Sequence, residues 1–160
     1  MTTPIIDPDF LLSKGASLKK VGKNEIIFRE GTYCCFYYQV LRGEVRWVNI
    51  NEEGDEYLQS ILGEGESFGE IPLFDEGTYV STAIANEDTT LLRLSKHAFL
   101  ELISEVPEIH LRFTRLLTER LRFKFTILKE MATHSPEDCI STLLNYFKER
   151  KIYTCDKCNK

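Results

Sequence analysis

Strand-like apolar runs occupy the chain up to about Ser95, and apolar residues with helical spacing follow them. The strand-like runs are Glu25–Phe28, Phe36–Leu41, Val45–Ile50, Tyr57–Leu62, Tyr79–Ala85 and Thr89–Leu94. The sequence NEEGD at 51–55 is typical of a hairpin connection between two of these runs. All nine glycines lie between Gly15 and Gly77. Many short strands joined by glycine turns predict a mainly β fold, a double-stranded β-roll of the jelly-roll type, with helices at its C-terminal end.

Capping residues predict short helices on both sides of the β-roll. Asp7 followed by Pro8 is typical of a helix N-terminus, because aspartate caps the first turn and proline suits the first helical position. The apolar side of this helix is predicted to consist of Phe10, Leu11 and Leu12. Ser95 is a suitable N-cap for a second short helix, which is predicted to extend through Ile103.

A long helix is predicted from Pro107 to about Met131, and it carries two apolar rows instead of one. The first row is Ile109, Phe113, Leu117, Leu121, Phe125 and Leu128; the second is Leu116, Phe123, Ile127 and Met131. A helix that lies on one domain needs a single apolar face. The two rows therefore favour packing on the β-roll on one side and on a second copy of the helix on the other. A monomer whose helix lies between the roll and the final segment is the alternative.

A further helix is predicted to begin at Ser135 and Pro136, where a cap, a first-position proline and an acidic residue follow one another. Its predicted buried face consists of Cys139, Ile140, Leu143, Leu144 and Phe147.

The net charge of −5 is divided unevenly along the chain. Residues 1–106 contain 9 Lys/Arg and 18 Asp/Glu, whereas residues 107–160 contain 11 and 7. The acidic part is a poor surface for nucleic acid, while the basic part suits a DNA contact or the solvated face of a helix. No apolar run is long enough to span a membrane, and MTTPIIDPDF lacks the features of a secretory signal. These features predict a cytoplasmic protein.

The cysteines and histidines predict no metal centre. Cys34 and Cys35 stand in an aromatic strand context, which is typical of buried thiols. One CxxC occurs, and no second ligand pair follows it; its cysteines are Cys155 and Cys158.

Enzyme activity is not predicted. Metallo-enzymes built on β-rolls need histidines on neighbouring strands, but the three histidines here fall on or beside predicted helices; they are His97, His110 and His134. No GxSxG, P-loop or paired catalytic carboxylates appear. A haem sensor needs only one or two axial ligands, so that alternative stays open.

The stretch Gly63–Ala85, with the sequence GEGESFGEIPLFDEGTYVSTAIA, contains the candidate binding residues. Gly69 allows the backbone to approach a ligand closely, and the residues from Ile71 onward can form one helical turn whose N–H groups face an anion. Glu70 would then accept a hydrogen bond from a sugar hydroxyl. The stretch therefore predicts a ligand site, and a plain glycine-punctuated hairpin is the alternative.

This stretch resembles the phosphate-binding cassette of cyclic-nucleotide-binding domains, as in the catabolite activator and fumarate-nitrate regulator (CRP/FNR) family. FGE followed by an apolar-Pro-Leu-Phe turn carries the resemblance, with IFREG at 27–31 and VLRGEV at 40–45 upstream. The resemblance covers roughly Leu18 to Met131. It implies that the ligand contacts are Phe68, Gly69, Glu70, Ile71, Ser81 and Thr82, together with Thr126 from the long helix.

One residue departs from the family's pattern. Nucleotide-binding members place an arginine, which pairs with the cyclic phosphate, immediately before a small hydroxyl residue, and Val80 stands there before Ser81. A charge-assisted bond to phosphate contributes roughly 1.5 to 3 kcal/mol. The resemblance thus implies a cyclic nucleotide as the class of ligand, whereas Val80 argues against tight cAMP binding. The N-terminal cysteine cluster of the family's iron-sulfur members is also missing.

The resemblance implies three segments: a cyclic-nucleotide-binding-like β-roll at 1–106, a dimerisation helix at 107–132 and the start of a winged helix-turn-helix domain at 133–160. A complete DNA reader would need about 50 further residues. A truncated regulator is therefore expected, and a protein that ends without a DNA reader is the alternative. The implied function is the sensing of a small effector that controls DNA binding by a homodimer. The alternative is a degenerate scaffold that binds no nucleotide and serves dimerisation or protein interaction.

Overall fold

Eight short strands form two four-stranded antiparallel sheets in the computed structural model, which describes residues 4–133 and 136–149. One sheet has the order β1-β8-β3-β6 and the other β2-β7-β4-β5. The strands are β1 Ser17–Val21, β2 Ile26–Phe28, β3 Phe36–Arg42, β4 Val45–Ile50, β5 Glu56–Leu62, β6 Ser67–Phe68, β7 Thr82–Ala85 and β8 Thr89–Ser95. This arrangement is a jelly-roll-like β-roll, and the predicted fold class is confirmed.

The helices are α1 Pro8–Ser13, α2 Ile71–Asp75, α3 Lys96–Glu105, α4 Pro107–Thr133 and α5 Pro136–Glu149. The chain divides into two compact units, one ending at Arg112 and the other beginning at Phe113. No helix of the described residues is both long enough and apolar enough to cross a membrane. The predicted division at 1–106, 107–132 and 133–160 stays a prediction.

Six of the eight strands coincide with the predicted runs, with small differences at their ends. β1 was not predicted because SLKKV has four outward or half-exposed positions and a single buried one, Val21. β6 was not predicted because it is only two residues long. The run predicted from Tyr79 becomes a strand only at Thr82, because the Tyr79 backbone bonds instead to Thr32 and Gly31 across a loop. Asn51 closes the predicted β4–β5 hairpin, with its side chain accepting from the backbone N–H of Asp55 at 2.8 Å.

One face of β3 holds α3 and the N-terminal segment on the β-roll. Tyr37 points to the helical side, where its ring stacks on Phe99 of α3 with 4.8 Å between centroids. Gln39, fully buried on the same face, accepts from the Tyr37 hydroxyl at 2.6 Å. Its amide also pairs with both backbone groups of Ile6, at 3.2 and 2.8 Å. Gln39 therefore fixes the N-terminal segment on the β-roll.

The caps of α1 and α3 are as predicted. Asp7 accepts from the N–H of Phe10 at 2.9 Å, and Ser95 accepts from the N–H of Ala98 at 3.3 Å. The predicted apolar side of α1 is wrong at one position, because Leu11 is buried but Leu12 is 41% exposed. Successive residues are about 100° apart around a helix, so three in a row cannot share one narrow face.

The second unit contains the greater part of α4. The first apolar row is buried at Ile109 and Phe113, half-buried at Leu117 and exposed beyond it. Leu121, Phe125 and Leu128 are 57–63% exposed, and Met131 of the second row is 72% exposed. The remaining second-row residues are half-buried: Leu116, Phe123 and Ile127.

The predicted buried face of α5 is wrong where the structure describes it. Ile140 and Leu144 are both 59% exposed. The spacing of apolar residues identifies the apolar face of a helix. It does not show whether that face is covered by the same chain or by another one. Cys139, Leu143 and Phe147 have side chains outside the described part of the structure, as does the predicted cap Ser135.

Replacement of Gln39 by leucine tests its role as the anchor of the N-terminal segment. We expect Gln39→Leu to lower the free energy of unfolding by about 2 to 4 kcal/mol, because two buried backbone groups of Ile6 lose their partner. Tyr37→Phe, which removes one donor only, should cost about 1 kcal/mol. Urea unfolding followed by circular dichroism measures both, and equal losses for the two variants would contradict this role.

Candidate functional site

The predicted cassette forms one compact turn between β6 and the loop before β7. Phe68 ends β6 and is fully buried, and Gly69 follows with φ +70°. Glu70, also fully buried, precedes α2, and its carbonyl accepts from the N–H of Leu73 at 3.0 Å. Ile71, half-buried, begins α2. The four residues predicted from 68 to 71 are thus together, and the predicted single turn of helix is present.

Two aromatic rings pack against the backbone of Gly69. A Cβ at this position would lie 2.8 Å from the Phe28 ring and 3.0 Å from the Tyr79 ring. These two rings stack with 3.7 Å between centroids and 9° between planes. Phe68 and Tyr38 extend the cluster, at 5.8 Å from Phe68 to Phe28 and 5.5 Å from Phe68 to Tyr38. Glycine is thus required at position 69 by its own aromatic neighbours, and the close approach of a ligand to Gly69 stays a prediction.

The cluster of Phe28, Tyr38, Phe68 and Tyr79 was missed by sequence reasoning. Its members are far apart in the chain and have no common spacing, so only their aromatic character could have suggested it. Burial raises the pKa of Tyr79, and the hydrogen bond of its side chain to the Cys34 thiol raises it further. Burial also raises the pKa of Tyr38, although the positive charge of Arg93 opposes this. Both phenols are therefore neutral near neutral pH.

The segment at Val80–Thr82 is tied to β4 and to the loop after β2. Asn49 donates to the Val80 carbonyl at 2.8 Å and to the Glu30 carboxylate at 3.0 Å. Ser81 donates to the side-chain oxygen of Asn49 at 3.5 Å, and Thr82 accepts from the N–H of Glu30 at 3.0 Å. Ser81 and Thr82 are 4% exposed, whereas the Val80 side chain is 48% exposed. The two predicted hydroxyl contacts are thus buried and bonded internally.

Thr126, the contact predicted from the long helix, lies in the second unit. It is half-buried, and its hydroxyl donates to the Arg122 carbonyl one turn earlier, at 3.1 Å. Its role as a ligand contact stays a prediction.

The prediction of two buried thiols is right for Cys34 and wrong for Cys35. Both residues lie in the loop before β3; Cys34 is buried with its thiol donating to the Phe36 carbonyl at 3.4 Å, and Cys35 is exposed. Neighbouring residues of an extended chain point to opposite sides, so one thiol faces inward and the other outward. Cys155 and Cys158 lie outside the described residues.

Among residues 4–133 and 136–149, no three His, Cys, Asp or Glu side chains are grouped as a metal site would require. His97 is exposed on α3 and its Nε2 lies 3.3 Å from a Glu101 carboxylate oxygen. His110 is exposed on α4, and His134 lies outside the described residues. Neither described histidine lies on a strand, where enzymes of the β-roll type place such ligands.

Comparison with known proteins agrees with the cassette and the fold. Residues 18–106 match the family model described as the cyclic nucleotide-binding domain. The "Cyclic AMP receptor protein" of Thermus thermophilus is 40% identical over 96 residues, which are 60% of this chain and 44% of that protein. The chain therefore spans less than half of this curated relative.

Solved structures show the same likeness. The catabolite activator protein of Thermus thermophilus has a TM-score of 0.67 and 26% identity, covering 94% of this chain and 87% of that one. The sensor domain of the transcriptional regulator DNR from Pseudomonas aeruginosa has a TM-score of 0.62 and 26% identity, covering 76% and 83%. The chain therefore belongs to the cyclic nucleotide-binding domain family, as a CRP/FNR-like member.

Proposed function

We propose that the chain is the effector-sensing and dimerisation module of a CRP/FNR-like transcription regulator. A small effector in the β-roll controls DNA binding by a helix-turn-helix domain that lies beyond residue 160. The observation that carries the proposal is the retained cassette, in which Gly69 adopts a left-handed conformation and Glu70, Ser81 and Thr82 are buried. A cytoplasmic, non-enzymatic protein is part of the proposal.

The effector of this module is one that does not depend on an arginine beside Ser81. Val80 offers no charge, and its backbone carbonyl is already held by Asn49. The Phe28 and Tyr79 rings pack on the backbone of Gly69, so a side chain larger than hydrogen is excluded there. Tight binding of cAMP is therefore not expected, although the polar groups that could contact its ribose are present.

Signal transmission in the proposed module depends on paired α4 helices. A ligand shifts an equilibrium only as far as its affinities for the two states differ. An effector that prefers one dimer arrangement by a few kcal/mol is sufficient to reposition DNA readers. The exposed row of Leu121, Phe125 and Leu128 supplies the apolar surface that a second copy would cover.

The second candidate is a scaffold that binds no nucleotide and serves dimerisation or protein interaction. The absence of a charge at Val80 and the internal hydrogen bonds of Ser81 and Thr82 favour it, because the groups expected to contact a cyclic phosphate are missing or already bonded within the protein. Both candidates share the homodimer, so nucleotide binding distinguishes them.

Restoring an arginine before Ser81 tests whether the rest of the cassette can bind a cyclic phosphate. Val80 is 48% exposed, so the fold should tolerate the change. We expect Val80→Arg to increase cAMP affinity by about ten- to a hundredfold, the equivalent of one charge-assisted bond to phosphate. Isothermal titration calorimetry measures the change.

Val80→Gln is the matched control, because glutamine also extends beyond valine and can hydrogen-bond but carries no charge. It should leave cAMP affinity within about threefold of the unmodified chain. No gain for Val80→Arg would support the scaffold, since restoring the charge would then not restore binding.

Light scattering tests the homodimer. The unmodified chain should have twice the 18.6 kDa mass of one copy. Phe125→Lys should give a monomer, because a lysine in the middle of the exposed row would be buried without a partner. Glu119→Gln also raises the charge of each copy by one, but Glu119 lies about 120° around the helix from Phe125. This variant should therefore remain a dimer. A monomeric unmodified chain, or a dimeric Phe125→Lys, would contradict the proposed interface.

A further inference from the structure

An open cleft of about 480 Å³ lies beside β2, β3 and the loop that joins them. This volume is within the range of small-molecule sites. Its lining contains none of the residues predicted to contact a nucleotide: Ile26, Ile27, Phe28, Arg29, Thr32, Tyr33, Cys35, Phe36, Tyr38 and Tyr79. The cleft is therefore distinct from the cassette, although two of its rings, Phe28 and Tyr79, also contact Gly69.

The lining is unusually aromatic, with five rings among ten residues. Phe28, Tyr38 and Tyr79 are buried members of the aromatic cluster, which holds them in fixed positions. Phe36 is half-buried, 6.1 Å from Tyr38 between centroids, and Tyr33 is 79% exposed. Aromatic side chains stack on planar ligands at little entropic cost when their positions are already fixed. A planar ring is thus the shape that this lining recognises.

Charge in the cleft has one sign. Arg29 is the only charged residue of the lining, which contains no carboxylate, although residues 1–106 hold twice as many acidic as basic residues. The guanidinium of Arg93, which is not part of the lining, adds a second positive charge 4.4 Å from the centre of the Phe36 ring. The carboxylate of Glu30, next to Arg29 in the sequence, keeps its negative charge, but it is not part of the lining and is bonded to Asn49. An anionic group is therefore favoured over a cationic one.

We propose that this cleft is a binding site for a small planar aromatic anion, such as an aromatic carboxylate. The ring of the ligand lies against Phe36 and Tyr38, and its carboxylate pairs with Arg29, whose planar fork suits a carboxylate. The cleft and Gly69 share the Phe28 and Tyr79 rings, so a ligand in the cleft contacts side chains that also pack on the cassette. The site does not require a nucleotide at the cassette.

Cys35 provides a reporter for this site, because its exposed thiol lines the cleft. The rate at which iodoacetamide alkylates Cys35 is followed by tandem mass spectrometry at increasing concentrations of naphthoate. Naphthamide, which has the same rings without the charge, is the matched probe. The peptides that contain the other cysteines report any effect on the reagent itself. Naphthoate is expected to slow Cys35 alkylation in a saturable manner, and naphthamide to do so more weakly.

Two arginine variants test the charge. Arg29→Gln should raise the naphthoate concentration for half-protection by about three- to tenfold, since the lost pair is partly solvated. Arg42→Gln makes the same change at an exposed position outside the lining and should leave this concentration within about twofold. No protection by naphthoate, equal protection by naphthamide, or equal effects of the two variants would overturn the proposal. Circular dichroism verifies that both variants are folded.

Discussion

The contact between the Phe28 and Tyr79 rings and the backbone of Gly69 determines how the cassette is built. A Cβ at 69 would lie 2.8 Å from Phe28, and the residue has φ +70°, so glycine is required for space as well as for conformation. The same two rings join β2 to the segment before β7 and border the cleft beside β3. Movement of these rings would consequently affect the cassette, the cleft and the loop at Val80 together.

Val80 has a consequence for ligand binding. The family's arginine is replaced, and the backbone at that position is bonded to Asn49, which also binds Glu30 and Ser81. Glu70, the predicted acceptor for a sugar hydroxyl, is buried. A nucleotide at the cassette would gain little from its phosphate, because valine at position 80 carries no charge.

Local sequence patterns predicted most of the β-roll, because the alternation of apolar and polar residues in a strand and the glycines of a turn each involve only a few neighbouring residues. They failed for β6, which is too short to show alternation, and for Leu12, where three adjacent apolar residues were assigned to one face. The cassette was predictable from its motif, but the ring that packs on Gly69 was not, since Phe28 is 41 positions away in the sequence. Cys35 and the exposed apolar row of α4 show the same limit: periodicity identifies a face, and only the tertiary structure shows what covers it.

Proton NMR of the unliganded chain tests most directly whether the Phe28 and Tyr79 rings pack on Gly69. If the rings of Phe28 and Tyr79 pack on Gly69, nuclear Overhauser effects should join the Gly69 α-protons to the ring protons of Phe28, and ring currents should shift those α-protons strongly from their usual position. Gly69 α-protons with ordinary shifts and no effects to Phe28 would contradict this packing.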